Sequence, residues 1–278
     1  MNDIRQTAKY AKYLKKIGWQ VERINEINYF IKKFPLIGSV IKVQRPENIS
    51  IKKIQNLAKK HHAFQIIIEP KTQLDADFLE NVGFRLSRNP YLPTKTLHFD
   101  LTKTQNELFS QLKKDVKYSL RKTEKLKIEE IKKINEIGDF KKAWKKAVGF
   151  KRYVPPVSQL KMLKKIFYKD TLFLKTKDCS ASAIFLLGDN IAYYWQAFSD
   201  KKARKELFQY KIVWKGILWA KSRGAKVFDF EGIYDPRFPN KSWEGFTHFK
   251  RSFGGHEIKY PGAFVKTRLP LPSVRPTH

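Results

Sequence analysis

The chain has 278 residues, of which 42% are hydrophobic and 14% aromatic, so it has material for a core and is not a disordered basic tail. Lys and Arg number 57 against 26 Asp and Glu, and this net charge of +31 predicts an anionic partner such as RNA, DNA, an anionic membrane face or a phosphorylated sugar, unless it merely reflects a Lys-rich proteome. The single cysteine, Cys179, excludes an internal disulfide and a cysteine-based zinc site. Because no apolar segment has membrane-spanning length, we expect a soluble cytoplasmic protein.

The first third of the chain alternates helical and strand patterns. Residues 6–17 place apolar side chains at helical spacing, and Gly18 follows as a stop. Short segments rich in β-branched and aromatic residues predict antiparallel strands over 19–46. A helix over 50–61 and the strand FQIIIEP follow, and a short helix and the strand FRLSRN complete this part. The order is helix, strands, helix, strand, helix, strand.

The rest of the chain repeats this order after the proline-containing boundary NPYLPTKT. The predicted elements are the strand LHFDL, a helix over 104–125, the strand KIEEIKK, helices over 139–149 and 157–169, the strands TLFLKTK, SASAIFLLG and NIAYYWQAFS, a helix over 207–224 and the strand KVFDFEG. The pattern predicts an α+β protein of two similar halves, each a mixed, mostly antiparallel sheet flanked by helices.

Two carboxylates occur at the end of the last of these strands. Strand alternation over KVFDFEG predicts that Asp229 and Glu231 point to one face. The pair could hold or deprotonate an ammonium group, or it could neutralise nearby lysines. It supplies too few ligands for a metal site, and we expect none.

The block WEGFTHFKRSFGGHEIKYPG combines aromatic rings, fixed positive charge and a glycine pair. Phe249, Lys250 and Arg251 precede Gly254 and Gly255, which permit close approach of the backbone. Such a mixture suits a terminal adenosine with its phosphates. The alternative is a turn flanked by core phenylalanines and a solvated Lys-Arg pair.

Basic residues concentrate in three segments of the second half. Residues 113–127 carry seven Lys or Arg against two acids, and Lys117 and Arg121 share a helical face. The other segments are 141–152 and 201–226. These charges could contact phosphates or could be solvated. The chain contains no GxxxxGK[ST], GxGxxG, HExxH or GxSxG motif.

Three stretches together resemble the Fem family of peptidoglycan bridge-forming aminoacyltransferases. They are TLHFDLTKTQNELFSQLKKDVKYSLRKTEK, YYWQAFSDKKARKELFQYKIVWKGILWAKSRGAKVFDFEGI and FTHFKRSFGGHEIKYPGAF. Lys117, Tyr118 and Arg121 match the basic helical pattern of the family. The remaining matches are Trp219, Ala220, Lys221, Gly224, Asp229, Phe230, Gly232, Phe249, Lys250, Phe253, Gly254, Gly255, Tyr260, Pro261 and Gly262.

The resemblance implies two GNAT-like domains and transfer of an amino acid from an aminoacyl-tRNA to the stem peptide of a peptidoglycan precursor, nucleotide-linked or lipid-linked. The domains would span 1–97 and 98–262, with a tail at 263–278 returning to the first. No cofactor is expected, and the protein would be a monomer, with a peripheral contact to an anionic membrane as a further partner. No coiled-coil arm is expected, because the stretch after Lys125 lacks heptads.

The resemblance also assigns roles to individual residues. Lys250 would balance phosphate charge and stabilise the oxyanion that develops at the ester, while Asp229 or Glu231 would orient or deprotonate the acceptor ammonium. The residues assigned to substrate or tRNA binding are Phe249, Arg251, Lys117, Arg121, Tyr194, Gln196 and Tyr210. Relatives often have an aromatic residue at the position of Gln196, and many have Gly at that of Glu231. We expect no covalent intermediate, since these motifs hold no Cys or Ser nucleophile.

Two other functions remain open at this point. A CoA-dependent N-acetyltransferase would share the fold, but its pyrophosphate loop, Arg/Gln-x-x-Gly-x-Gly/Ala, is not found. A degenerate GNAT-fold protein that binds tRNA or another nucleic acid would show salt-sensitive binding without transfer.

Overall fold

The structure is a computed structural model that describes residues 2–150 and 152–267. The chain divides into two compact units. The large unit is built from residues 93–259 with the first few residues of the chain, and the small unit from residues 5–92 with the segment that starts at Tyr260.

Both units contain helices and strands. The helices are α1 (Ala8–Lys16), α2 (Ile51–Lys60), α3 (Gln73–Asn81), α4 (Gln105–Ser110), α5 (Lys114–Lys122), α6 (Ile137–Val148), α7 (Val157–Phe167), α8 (Lys201–Lys205), α9 (Phe208–Ser222) and α10 (Glu244–Arg251). The strands are β1 (Gln20–Ile24), β2 (Ile27–Phe34), β3 (Gly38–Gln44), β4 (Ala63–Glu69), β5 (Arg85–Leu86), β6 (Lys95–Asp100), β7 (Ile128–Glu130), β8 (Thr171–Thr176), β9 (Ala181–Gly188), β10 (Ile191–Ser199), β11 (Val227–Asp229), β12 (His256–Lys259) and β13 (Phe264–Thr267). Up to β11 the helices and strands follow the order predicted from the sequence, apart from the short helix α8 and the differences described below, and α10, β12 and β13 have no predicted counterpart. The predicted α+β class is confirmed.

The small unit contains a mixed sheet with the strand order β1-β2-β3-β4-β13-β5. Strands β1, β2 and β3 are antiparallel, and Asn25 and Glu26 both have positive φ in the tight turn between the first two. Strand β4 runs parallel to β3, and β13 lies antiparallel between β4 and β5. Apolar residues of α2 and α3 pack on one face of this sheet, which forms the core of the unit.

The large unit contains a second mixed sheet with the order β12-β6-β11-β10-β9-β8-β7. Its neighbouring strands are antiparallel except for β10 and β11, which are parallel. Helix α9 packs closely on β9, because a Cβ atom at Gly216 would lie 2.3 Å from the ring of Phe185. The core of the unit lies around this contact and includes Phe228, Phe230 and Phe253.

Three predicted elements differ from the structure. The helix predicted over 104–125 is interrupted, and the backbone N–H of Lys113 at the break donates to the carbonyl of Ser252 instead of continuing α4. The helix predicted over 207–224 starts at Phe208, after a left-handed residue, Leu207, that separates it from α8. Strand β11 ends at Asp229, earlier than predicted. In the first case a contact distant in sequence overrides the local helical pattern.

Candidate active site

The candidate site lies where the parallel strands of the large unit stop pairing. Strands β10 and β11 pair from Ile191 and Val227 to Tyr193 and Asp229, and β11 ends there while β10 continues to Ser199. A bulge after Tyr194 shifts the register of β10 against β9 at the same level. Ligands of open α/β sheets bind outside the carboxyl ends of parallel strands, so this is the expected position for a substrate.

Lys250 is the most perturbed cation of the site. Helix α10 carries it to the end of β11, where its buried Nζ donates to the carbonyl of Gly232 at 2.6 Å and to that of Glu231 at 3.3 Å. The ring centroids of Phe246 and Tyr194 lie 4.8 and 5.7 Å from Nζ. Burial lowers the pKa of Lys250 to about 7, although the charges of Glu231 and then Asp229 raise it. Near neutral pH this amine can therefore gain or lose a proton.

Asp229 holds the turn that follows β11. Its buried carboxylate accepts from the Thr96 hydroxyl at 2.5 Å and from the backbone N–H of Glu231 at 2.7 Å, and Nε2 of His98 lies 3.2 Å from its other oxygen. Because these contacts occupy the carboxylate, Asp229 is placed to position the turn and the backbone carbonyls that Lys250 contacts.

Glu231 does not share a strand face with Asp229. The expectation from strand alternation is wrong, because β11 ends at Asp229 and Glu231 adopts a left-handed conformation with φ of 53°. Glycine adopts this conformation most readily, so a glutamate here holds a strained backbone. Glu231 remains beside Lys250, since its charge is the largest one that raises the pKa of that lysine.

Tyr194 and Gln209 form the wall of the site on the β10 side. The buried hydroxyl of Tyr194 accepts from the side-chain amide of Gln209 at 2.7 Å, and its ring stacks on Phe185. Burial raises the pKa of Tyr194 well above its usual range, so the hydroxyl stays protonated. Oε1 of Gln209 is buried and has no hydrogen-bond partner among the described residues. Gln196, next along β10 after the bulge, is partly exposed.

Phe249 and Tyr210 form an aromatic cluster with Phe253. The ring centroids of Tyr210 and Phe249 are 4.7 Å apart, and Tyr210 stacks on Phe253 at 5.8 Å. Tyr210 and Phe249 are partly buried against the core, and burial raises the pKa of Tyr210. This packing corresponds to the alternative considered for Phe249, a phenylalanine that flanks the turn.

The predicted basic contacts lie on α10 itself, in the case of Arg251, and on α5, in the case of Lys117 and Arg121. Arg251 directs Nε and Nη2 to Oε1 of Glu257, at 2.9 and 2.6 Å. Nζ of Lys117 donates to the Ser110 carbonyl at 2.8 Å, while Arg121 on the same helix, α5, is exposed to solvent. The structure thus brings Lys250, Glu231, Asp229 and Tyr194 together and leaves these three cations outside that group.

Arg152 is a residue of the candidate site that the sequence pattern marked only as part of the basic segment 141–152. Its Nη1 donates to the Ala197 carbonyl on β10 at 3.0 Å, and its charge contributes, after burial, to the lowered pKa of Lys250. Phe150 and Tyr153 beside it in sequence are largely exposed. The signal was present as FKRY, the same mixture of rings and cations that drew attention to Phe249–Arg251.

The described residues also delimit the chemistry of the site. Across 2–150 and 152–267 there is no cluster of three His, Cys, Asp or Glu side chains that could hold a metal ion. In the same ranges, no helix combines the length and the apolar character that crossing a bilayer demands. Burial raises the pKa of Cys179 to about 11, so its thiol is a poor nucleophile at neutral pH.

Solved structures that resemble this chain define its class of fold. The crystal structure of FemX aligns with a TM-score of 0.79 at 15% identity over 96% of this chain and 92% of that one. L-PGS from Bacillus licheniformis aligns with a TM-score of 0.63 at 12% identity over 96% and 87%, and a tandem GNAT protein from the clavulanic acid biosynthesis pathway with 0.54 at 8% identity over 97% of each chain. The predicted fold of two GNAT-like domains is confirmed.

A family model matches part of the sequence. Residues 167–272 match the model of the FemAB family, and they include β10, β11, α9 and α10 of the candidate site. No curated protein sequence matches the chain. The predicted resemblance to the Fem family is confirmed.

Proposed function

We propose that the protein is an aminoacyltransferase that moves an amino acid from an aminoacyl-tRNA to an amino group on the stem peptide of a peptidoglycan precursor. The observation that carries the proposal is the buried Lys250, whose pKa is lowered to about 7 at the end of a parallel strand pair. It lies inside the segment that matches the FemAB family.

The proposed reaction needs no covalent attachment to the protein. The acceptor amine attacks the ester carbonyl, the carbonyl oxygen becomes an oxyanion, and collapse forms the amide and releases the terminal ribose hydroxyl of the tRNA. In its ammonium form Lys250 donates a hydrogen bond to the oxyanion. Glu231 accepts the proton that the attacking nitrogen loses and passes it to the ribose oxygen that leaves, so that no proton is gained or lost overall. Asp229 keeps the turn in place, and positioning supplies much of the rate.

Cations of the large unit would bind the phosphates of the tRNA. Arg152 lies near Lys250 between two exposed aromatic side chains, an arrangement that suits stacking and phosphate contact at the 3′ end. Lys117 and Arg121 on α5 would contact the backbone farther along the acceptor stem. A tRNA footprint confined to the small unit would contradict this assignment.

The test compares transfer by the parent with that by Lys250→Ala and a matched control, Lys161→Ala, at an exposed position of α7. Each protein receives a full set of charged tRNAs and a muropeptide, nucleotide-linked in one series and lipid-linked in another, and mass spectrometry reports the stem peptide. We expect Lys250→Ala to lose about 100-fold to 1000-fold in rate, as when an oxyanion donor is removed. Equal rates in all three proteins would overturn the role of Lys250.

The same samples distinguish the two other functions. An unchanged stem peptide, together with tRNA binding that weakens steeply as salt is raised, would identify a nucleic-acid-binding protein. Thermal stabilisation by CoA would instead favour an N-acetyltransferase, and we expect no such shift.

A further inference from the structure

The turn between β2 and β3 of the small unit exposes large apolar side chains. In the sequence KFPLIG, Leu36 is fully exposed, Ile37 is 66% exposed and Phe34 is 40% exposed. Turns of this kind normally carry Gly, Asn, Asp or Ser, which water solvates well. A group of exposed apolar residues in a soluble unit indicates a contact surface.

Lysines surround this turn because several elements end at the same edge of the sheet. Strand β1 starts at Gln20 opposite Ile31, near the end of β2, and β4 starts at Ala63 beside Ser39, near the start of β3. Helices α1 and α2, which precede β1 and β4, therefore finish at the edge from which the turn projects.

The lysines of this edge come from the helix ends and from the turn. They are Lys15 and Lys16 in the last turn of α1, Lys59 and Lys60 in the last turn of α2, and Lys32 and Lys33 at the end of β2. The carboxylates nearby are Glu22, which is paired with Lys60 at 2.9 Å and contacts His61 at 3.1 Å, and Glu80 in the last turn of α3. The edge thus carries a clear excess of positive charge.

A cavity of about 530 Å³ separates the turn from the end of α2. Its lining includes Lys33, Phe34 and Leu36 on one side and Lys60 and His62 on the other. An apolar wall beside cationic groups suits a molecule with a hydrocarbon part and a phosphate part.

We propose that this edge of the small unit docks on an anionic phospholipid bilayer. Phe34, Leu36 and Ile37 enter the boundary between headgroups and acyl chains, and the lysines contact the lipid phosphates. The aliphatic character of the tip favours lipid over nucleic acid, because base stacking uses aromatic and guanidinium planes, which Leu36 and Ile37 lack.

The docking surface stands independently of the transfer reaction. A lipid-linked acceptor would be concentrated at the surface to which the protein docks, a consequence that rests on the proposed function. Membrane binding itself can be measured without any substrate of that reaction.

The experiment is co-sedimentation of the full chain with vesicles made of equal parts phosphatidylglycerol and phosphatidylcholine, or of phosphatidylcholine alone. The test variant is Leu36→Asn/Ile37→Ser, and the matched control is Leu74→Ser, another exposed leucine of the small unit, in the first turn of α3. We expect the parent and the control to bind anionic vesicles. The double variant should bind them roughly tenfold to a hundredfold more weakly, because it lacks two aliphatic groups.

The charge is tested separately with Lys33→Gln/Lys59→Gln. This variant should lose roughly tenfold in binding to the anionic vesicles and show a shallower salt dependence. Failure of the parent to bind anionic vesicles would overturn the proposal, as would equal binding by the double variant and Leu74→Ser. Loss of tRNA binding by Leu36→Asn/Ile37→Ser with vesicle binding intact would also overturn it and assign the surface to nucleic acid.

Two controls distinguish a loss of membrane binding from a loss of folding and from a loss of the transfer reaction. Thermal unfolding of each variant should match that of the parent, because the substituted side chains are exposed. Transfer to a nucleotide-linked, water-soluble muropeptide should be unchanged in Leu36→Asn/Ile37→Ser. If transfer failed in every protein while vesicle binding followed the expected pattern, the proposed function would be overturned and the docking surface retained.

Discussion

The two sheets each contain one parallel strand pair, and the pairs end differently. In the small unit, β3 and β4 stay paired up to Gln44 and Glu69, and the next N–H, that of Arg45, still donates to the Glu69 carbonyl. The Glu69 carboxylate then accepts from the Gln44 amide and from the backbone N–H groups of Tyr91 and Leu92. The backbone and side chains at this end therefore bond to one another.

In the large unit, the pairing of β10 and β11 stops at Tyr193 and Asp229, and the ammonium of Lys250 uses the carbonyls beyond it. The two sheets therefore differ at the ends of their parallel pairs. In the small unit the strand ends are filled by their own hydrogen bonds, whereas in the large unit the pairing stops early and a buried lysine occupies the space, which is where the candidate site lies. The carboxylates Asp229 and Glu69 serve a common purpose in the two units, because each accepts backbone N–H groups of the segment that follows or adjoins the strand end.

The largest effect is expected from Asp229→Ala. The substitution leaves the Thr96 hydroxyl and the Glu231 N–H without their acceptor in a buried place, at a cost of about 2 to 4 kcal/mol in the free energy of unfolding. Glu69→Ala should cost a similar amount, because it leaves comparable N–H groups unpaired. Urea unfolding at pH 7 measures both.

The comparison fails if Asp229→Ala unfolds at the urea concentration of the parent while Glu69→Ala does not. Asp229→Asn is the milder control. It retains an acceptor oxygen and should lose less stability than Asp229→Ala.

An effect of intermediate size is expected from Lys250→Met, in the pH dependence of the free energy of unfolding. The pKa of Lys250 in the folded state, about 7, lies below the value of 10.5 for an exposed lysine. Between these values the unfolded chain holds more protons, so this group makes stability rise with pH, by up to about 1.4 kcal/mol per unit. Lys250→Met should remove that rise between pH 7.5 and roughly pH 9.

Lys42 of β3 sharpens this comparison. Burial lowers its pKa as well, while Glu69 raises it. Because Lys42 is partly exposed whereas Lys250 is buried, Lys42→Met should flatten the pH dependence less than Lys250→Met does. Urea unfolding across this pH range gives both slopes, and equal slopes in Lys250→Met and the parent would contradict the assignment.

The smallest effect is expected from Arg152→Ala. Removing this charge should raise the pKa of Lys250, because Arg152 contributes to lowering it. If the ammonium form of Lys250 is the active one, transfer falls as pH rises through its pKa, and in Arg152→Ala this fall moves to higher pH. A pH–rate profile with saturating acceptor measures the shift, with Lys161→Ala as the control. A fall at the same pH in both variants would remove Arg152 from the site.

Local sequence patterns predicted the elements of the fold well, because most are decided by periodicity and turn residues. The β-branched and aromatic residues of INYFIKKF and the helical spacing before Gly18 are examples. Patterns failed where distant residues decide the outcome, as at Lys113, whose N–H bonds to Ser252. No window of sequence around 104–125 contains that partner.

The site was predictable in part. Family motifs located Lys250 and Asp229, but they could not show that the Asp229 carboxylate is occupied within the turn or that Phe249 packs on Tyr210. Arg152 was not singled out within its basic segment because its relation to Lys250 depends on a loop that joins two helices and contacts β10. Burial and hydrogen bonding between distant segments, which a single sequence does not display, decide these roles.

The position of β13 has a consequence for synthesis on the ribosome. This strand, Phe264–Thr267, lies between β4 and β5 in the sheet of the small unit, although the whole of the large unit separates it from them in the chain. Residues 5–92 emerge first, yet β5 has no neighbour to pair with until β13 has been made. Chain growth therefore completes the large unit before the sheet of the small unit can close, and the part of the protein that is translated first finishes folding last.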